Sequence, residues 1–130
     1  MVPTERTYVP GVCNIGRAEV RQRQIMAWVG LLATIVLWGV FVFAETDPVW
    51  RLFLFLPATI AALGYFQSAR HFCAAFGLTG VFNLGPAVGR TDTVEQAEYR
   101  RRDRRTALLI LGLSALAGIV VGAAGYFVPV

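Results

Sequence analysis

Apolar and polar positions divide this chain into three long hydrophobic blocks joined by two unlike connections. The first block, Ile25 to Ala44, reads IMAWVGLLATIVLWGVFVFA. The second, Trp50 to Ala69, reads WRLFLFLPATIAALGYFQSA, and the third, Ala107 to Val128, reads ALLILGLSALAGIVVGAAGYFV. Each reaches the roughly 20 helical residues that cross a bilayer's hydrocarbon core. None holds an ionisable side chain except Arg51, at the rim of the second block, from where it is expected to reach the headgroups. The pattern predicts an all-α membrane protein with three transmembrane helices, forming one membrane domain over residues 1–130.

The ends of the blocks carry local signals. In CNIGRAEVRQRQ, Asn14 is a good N-cap, and Ile15, Ala18, Gln22, Ile25 and Val29 then share one face. A helix is therefore predicted over 14–44, with Glu19 and Arg23 paired at i,i+4 on its exposed side. Ahead of it, the Pro- and Gly-punctuated residues 1–13 read as a surface arm. Span 2 covers 50–69, and residues 70–90 form an elbow. Asp92 or Thr93 is the expected cap of a last helix over 93–128, with Glu98 and Arg102 as a favourable pair. At 1.5 Å per residue that helix is about 50 Å long, so its first turns project beyond the hydrocarbon core.

Composition agrees with this pattern: 56% of residues are hydrophobic and only 15% charged, and the charges are clustered. The net charge of +4 comes from twelve arginines, with no lysine. Arg6, Arg17, Arg21 and Arg23 precede the first span. Arg70, Arg90, Arg100, Arg101, Arg102, Arg104 and Arg105 lie between the second and third, whereas the first connection has only Glu45, Asp47 and Arg51. The positive-inside rule predicts a cytoplasmic N-terminus, a cytoplasmic second connection and a C-terminus on the outer side. A bacterial inner-membrane location follows, with no cleavable leader expected. Cys13 and Cys73 then share the reducing side, which argues against a disulfide. The run YRRRDRR places Arg100, Arg101, Arg102, Arg104 and Arg105 at headgroup level, as a topology anchor or an anionic-lipid contact. No recognition fold surrounds the run, so nucleic acid is not an expected partner.

Helices associate in lipid through small residues. Ala115, Gly118, Gly122 and Gly125 fall on one stripe of the third span, with GIVVG as a GxxxG, and predict a packing face toward the other spans or another protein. Leu113, Leu116, Ile119 and Val120 oppose it. Pro57 frees a carbonyl in span 2 and is a candidate kink. Trp28, Trp50, Tyr65, Tyr99 and Tyr126 lie near the expected interfaces, whereas Trp38 lies deeper. Nothing resembles the broken helices and buried charges of a transport pathway.

The segment RHFCAAFGLTGVFNLGP, Arg70 to Pro86, holds the only histidine and one of the two cysteines. Phe72, Phe76, Leu78, Val81 and Phe82 are too interrupted by glycine for a span, and predict an interfacial elbow with its phenylalanines in the acyl region. Cys13, His71 and Cys73 constitute a possible thiol site. Without a CxxC or a fourth ligand they are not assigned a metal, and no cofactor is identified. The plain alternative is two small buried cysteines packing helix ends; the sharper one is a Cys73 thiolate favoured by Arg70 and His71.

Asn14, Gly16 and Glu19 before the first helix, with Cys73, Phe76, Leu78 and Gly80 after the second, resemble the YgaP-like transmembrane domain family of small bacterial inner-membrane helical hairpins. The resemblance covers about residues 13–85; Ala74 stands where that family has proline, the arginines are shifted, and a third span is added. It implies a membrane hairpin fold and, through sulfur-handling neighbours, a possible thiol role. No catalytic triad, paired carboxylates or phosphate loop accompanies it, so catalysis by this chain alone is not expected. Three functions remain: a non-catalytic accessory subunit of a larger respiratory or photosynthetic membrane complex that seats lipids, a membrane-anchored thiol or redox protein using Cys73, and an anionic-lipid-binding homo-oligomer.

Overall fold

The computed structural model describes residues 8–128 except Pro86. Residues 1–7 of the predicted arm and the last two residues of the chain lie outside that set. Three helices are long and apolar enough to span a membrane: α1 (Arg17–Phe43), a 3-10 turn Pro48–Leu54 running directly into α2 (Phe55–Arg70), and α4 (Ala97–Phe127). Between α2 and α4 lie the short helix α3 (Ala74–Thr79) and two-residue strands β1 (Val81–Phe82) and β2 (Asp92–Thr93). Helix α2 is central, packed on α1 along one side and on α4 along another.

Small residues set both contacts. Gly30 of α1 lies against Ala61, and Gly64 of α2 against Ala27, so close that a Cβ on either would sit 2.6 Å from a backbone nitrogen. On α4, Gly118, Gly122 and Gly125 are buried. Gly118 meets Thr59 and Phe55, Gly122 the Leu52 carbonyl, and Gly125 the side chains of Leu54, Trp38 and Arg51. The stripe predicted on the third span is thus covered by the chain's own segments, with Ala115 half-buried at its inner end. Leu116, Ile119 and Val120 on the other side are exposed, as are Ile25, Val29, Leu32, Val36 and Phe43 of α1.

Arg51 does not reach outward as expected from its place in the sequence. Its side chain is buried, stacked 5.4 Å over the Trp38 ring, and its Nη1 donates to the carbonyls of Val128 (2.9 Å) and Gly125 (3.4 Å). Those carbonyls end α4, where the helix dipole favours a cation.

The other end of the bundle departs more from expectation. Asn14 does not cap α1: the cap is Gly16, with no side-chain hydrogen bond. Asp92 and Thr93 do not cap α4, because they pair antiparallel with Phe82 and Val81, and the helix starts four residues later at Ala97. His71 ends α2 in the left-handed region (φ 55°) and turns the chain inward. Phe72 is then fully buried with Ala74, Ala107 and Ile110, against Leu63, Phe66 and Leu111. The predicted insertion of Phe72 into lipid is therefore incorrect: a full aromatic surface is covered by the chain's own helices, worth about 2–3 kcal/mol of apolar burial. Of the remaining elbow residues Phe76 and Phe82 are half-buried, and only Leu78 is exposed.

Candidate functional site

Apart from Arg51 at the other end and Ser114 midway along α4, the residues described as both buried and polar meet at this second end, in two adjoining clusters. The first is built on Glu19, 1% exposed, which the one-dimensional pattern had placed on the outer side of α1. The expected partner is correct but the surroundings are not. Arg23 Nη1 donates to Glu19 Oε1 at 2.9 Å, while Asn83 Nδ2 and the Gly89 amide each donate to Oε2 at 2.8 Å. Asn83 also donates to the Ala87 carbonyl and accepts from the Gly85 amide, so one side chain ties Gly85 and Ala87 to the surroundings of the carboxylate. Backbone hydrogen bonds from Asn83 N to Asn14 O and from Gly16 N to Asn83 O, both 2.9 Å, fasten that turn to the start of α1.

Asn14 supplies the second half of this cluster. Its amide side chain grips the backbone of Cys73 from both sides, with Nδ2 donating to the carbonyl (3.1 Å) and Oδ1 accepting from the amide (2.7 Å). Gln67 Oε1 accepts from the next amide, Ala74 N, at 2.8 Å. Both amides open the short helix α3, where no intrahelical acceptor exists, so these contacts replace its missing caps. The amides of Asn14 and Ile15 donate to the His71 carbonyl.

The second cluster docks the arm on α4. Asp103, fully buried inside YRRRDRR, accepts from the Tyr8 hydroxyl (2.6 Å) and the Gly11 amide (2.7 Å), and Thr106 Oγ1 donates to the Gly11 carbonyl. Gly11 has φ +71° and lies 3.3 Å, through an added Cβ, from the side chains of Arg102 and Thr106, so both conformation and space call for glycine. Tyr8 stacks on Phe82 at 4.8 Å.

The residues of the predicted thiol site lie within these contacts, where Asn14 and Ile15 bring the segment after Cys13 against His71 and Cys73. Cys13 and Cys73 are free and buried; Cys13 Sγ donates to the Ile15 carbonyl, and Cys73 Sγ accepts from Arg23 Nη2 at 2.9 Å. The half-buried His71 serves as the α2 terminus. Among the described residues no three His, Cys, Asp or Glu side chains come together in a way that could hold a metal. The arginine run is also divided. Arg100 is a splint, its Nη1 donating to the Val94 and Glu95 carbonyls at 2.7 Å, and Arg101 and Arg102 flank Glu98 at 3.9 and 3.6 Å. Arg104 and Arg105 are exposed.

The chain matches no protein-family model, no curated protein and no solved structure. What the two clusters can do must therefore be taken from their geometry. Glu19, Asn14, Asn83 and Asp103 have their side-chain polar atoms engaged by the chain itself, Gln67 its Oε1, and Cys73 is 2% exposed. The arrangement is a clamp: it binds arm, turn and helix ends into one cap.

Tyr8 makes the clamp testable by pH. Burial, and then its hydrogen bond to Asp103, push its phenol above the ordinary value of 10.0. The docked arm holds the neutral form, and the released arm ionises first. Docking is therefore intact below pH 10 and weakens as pH rises through and beyond that value. In a phenolate absorbance titration of the detergent-solubilised chain, the signal lost in Tyr8→Phe should ionise above free tyrosine. Ionisation at the ordinary value would mean that the arm is undocked.

Proposed function

We propose that this chain is a non-catalytic accessory subunit of a larger bacterial inner-membrane assembly, of respiratory or photosynthetic type. Its N-terminus and polar cap are on the cytoplasmic side and its C-terminus on the outer side. The observation that carries the reading is an asymmetry. The buried polar groups of the cap serve the chain itself, while α1 keeps one apolar side exposed along its length, through Ile25, Val29, Leu32, Val36 and Phe43. A helix held to the bundle along one narrow glycine-marked line has its remaining surface available to lipid or to larger partners. The arginine distribution supports the orientation, since both basic segments are at the capped end.

The resemblance to the YgaP-like hairpins fits the same reading. Asn14, Gly16, Glu19 and Cys73, four of the seven residues on which it rests, are residues of the clamp, so this part of its motif is one that would hold a hairpin's cytoplasmic end together. The thiol reading is favoured by one contact, the Arg23 guanidinium on the Cys73 sulfur. Burial of that sulfur opposes it, because an oxidant or disulfide must reach the thiol to react.

Gentle detergent extraction of the native membrane, native-gel separation and mass spectrometry test the proposal. Co-migration with a large complex is the expected result. Migration as a free monomer or small oligomer would overturn it.

A further inference from the structure

The uncovered side of α2 is not flat. Between α1 and α2, and reaching Ala117 of α4, runs an open groove of about 820 Å³, within the size range of small-molecule sites. Its floor is built from alanines, including Ala27, Ala61 and Ala69, and its flanks from the rings of Trp28 and Tyr65. Polar lining is confined to Gln24 and Ser68, toward the capped end.

What lies just beyond that end decides the occupant. Gly30 against Ala61 and Gly64 against Ala27 define an antiparallel register; continued toward the cap, it sets Arg21 level with Arg70. Arg21 is three residues from Gln24, and Arg70 four residues from Phe66, both of which line the groove, so both arginines crown it. Both are exposed, and neither joins a salt bridge among the described residues. The nearest acid on α1, Glu19, is turned inward onto Arg23, Asn83 and Gly89; α2 has no acid, and Asp103 of α4 is buried under Tyr8 and Gly11. Two like charges at one level, over an apolar trough with amphipathic rings on its flanks, lack only an anion carrying an apolar tail. A second copy of the chain would bring the same two arginines to this mouth, and like charges would meet.

We propose that the groove is a binding site for an anionic glycerophospholipid of the cytoplasmic leaflet, its phosphate between Arg21 and Arg70 and an acyl chain along Ala27, Ala61 and Ala69. The proposal rests on the membrane reading above and adds a specific site to it, separate from Arg104 and Arg105. Basic residues at an anionic surface each favour binding, and the pair should give about a tenfold preference over zwitterionic lipid, equivalent to about 1.4 kcal/mol.

The test reconstitutes the full chain in phosphatidylcholine vesicles containing either brominated phosphatidylglycerol or brominated phosphatidylcholine. The Trp28 contribution is the fluorescence quenching lost in Trp28→Phe. Preferential quenching by the phosphatidylglycerol, abolished in R21Q/R70Q and kept in R104Q/R105Q, is the expected result. Equal quenching by both lipids, or a preference that survives R21Q/R70Q or is lost in R104Q/R105Q, overturns the site. Shielding of Trp28 from both lipids while the other tryptophans are quenched would assign the groove to a protein partner and also overturn it. Absence of quenching at every tryptophan would overturn the membrane reading itself.

Discussion

Replacing Glu19 by alanine is expected to destabilise the folded chain by about 3–5 kcal/mol, the usual cost of removing one partner from a buried charge pair. The carboxylate is the common acceptor for Arg23, Asn83 and the Gly89 amide. Its loss leaves a half-buried guanidinium without its counter-charge and two neutral donors without this acceptor. Water entering the space would recover part of this, but Glu19 is 1% exposed, and hydration would first require the turn 83–89 to lift away. Glu19→Gln keeps the shape and one acceptor oxygen while turning an amide N–H toward existing donors, so its cost is expected to be smaller, about 1–3 kcal/mol. Glu98→Ala is the control: Glu98 pairs with Arg101 and Arg102 at the surface, and its removal should change little. Denaturant unfolding in micelles followed by circular dichroism measures all three. A Glu19→Ala effect no larger than that of Glu98→Ala would mean that the cap does not hold the bundle end. The site should also loosen locally, with proteolysis at Gly89 and Arg90 appearing in Glu19→Ala before global unfolding.

The three long helices were legible because hydrophobic length is a one-dimensional signal, and nothing in the tertiary structure had to be known to read it. The connection between α2 and α4 was not legible in the same way. Phe72, Phe76 and Phe82 have the composition of an interfacial segment, but α3 and the β1–β2 pair are made by contacts with residues far along the chain. Phe72 is buried by Ala107 and Ile110, and Asn83 is placed by Asn14 and Glu19. Asn14 illustrates the ambiguity well. An asparagine before a helix is a good cap by local rules, yet the same donor and acceptor satisfied the Cys73 backbone, where a buried unpaired amide would have been more costly. Asp103 was hidden by its neighbours, because an acid among five arginines reads as part of a solvated run. Only its spacing held a hint: Asp103, Ala107, Ile110 and Ser114 recur at the period of the buried face of α4. Arg51 belongs to the same class, an isolated charge at a span's edge whose partners are carbonyls that a sequence does not display as charged.

The glycine stripe on α4 was visible as a GxxxG motif, whereas the α1–α2 crossing, carried by single glycines at Gly30 and Gly64, was not, and that crossing is where the second large effect is expected. Gly64→Ala places a Cβ 2.6 Å from Ala27 N and 2.7 Å from Arg23 O, and both of these atoms belong to a neighbouring helix backbone that cannot rotate aside. Either the helices separate or one of them bends. Overpacking of this kind costs about 1–3 kcal/mol, against a gain of up to about 1 kcal/mol from alanine's better helix propensity. Gly64→Leu leaves no such compromise and is expected to part α1 from α2, taking Arg23, together with its α1 partner Glu19, away from Cys73 and so coupling the helix crossing to the cap. Gly39 and Gly112 meet nothing within 4 Å of an added Cβ, so alanine there should be neutral or mildly stabilising. Thermal unfolding of the three alanine variants in one detergent, with Gly64→Leu alongside, separates close approach from propensity. If all three shift together, backbone contact at Gly64 is not what holds α1. If Gly64→Ala alone falls and Gly64→Leu loses protection of the 83–89 turn, the span contact and the polar cap are one cooperative unit, since Arg23 lends its carbonyl to the first and its guanidinium to the second.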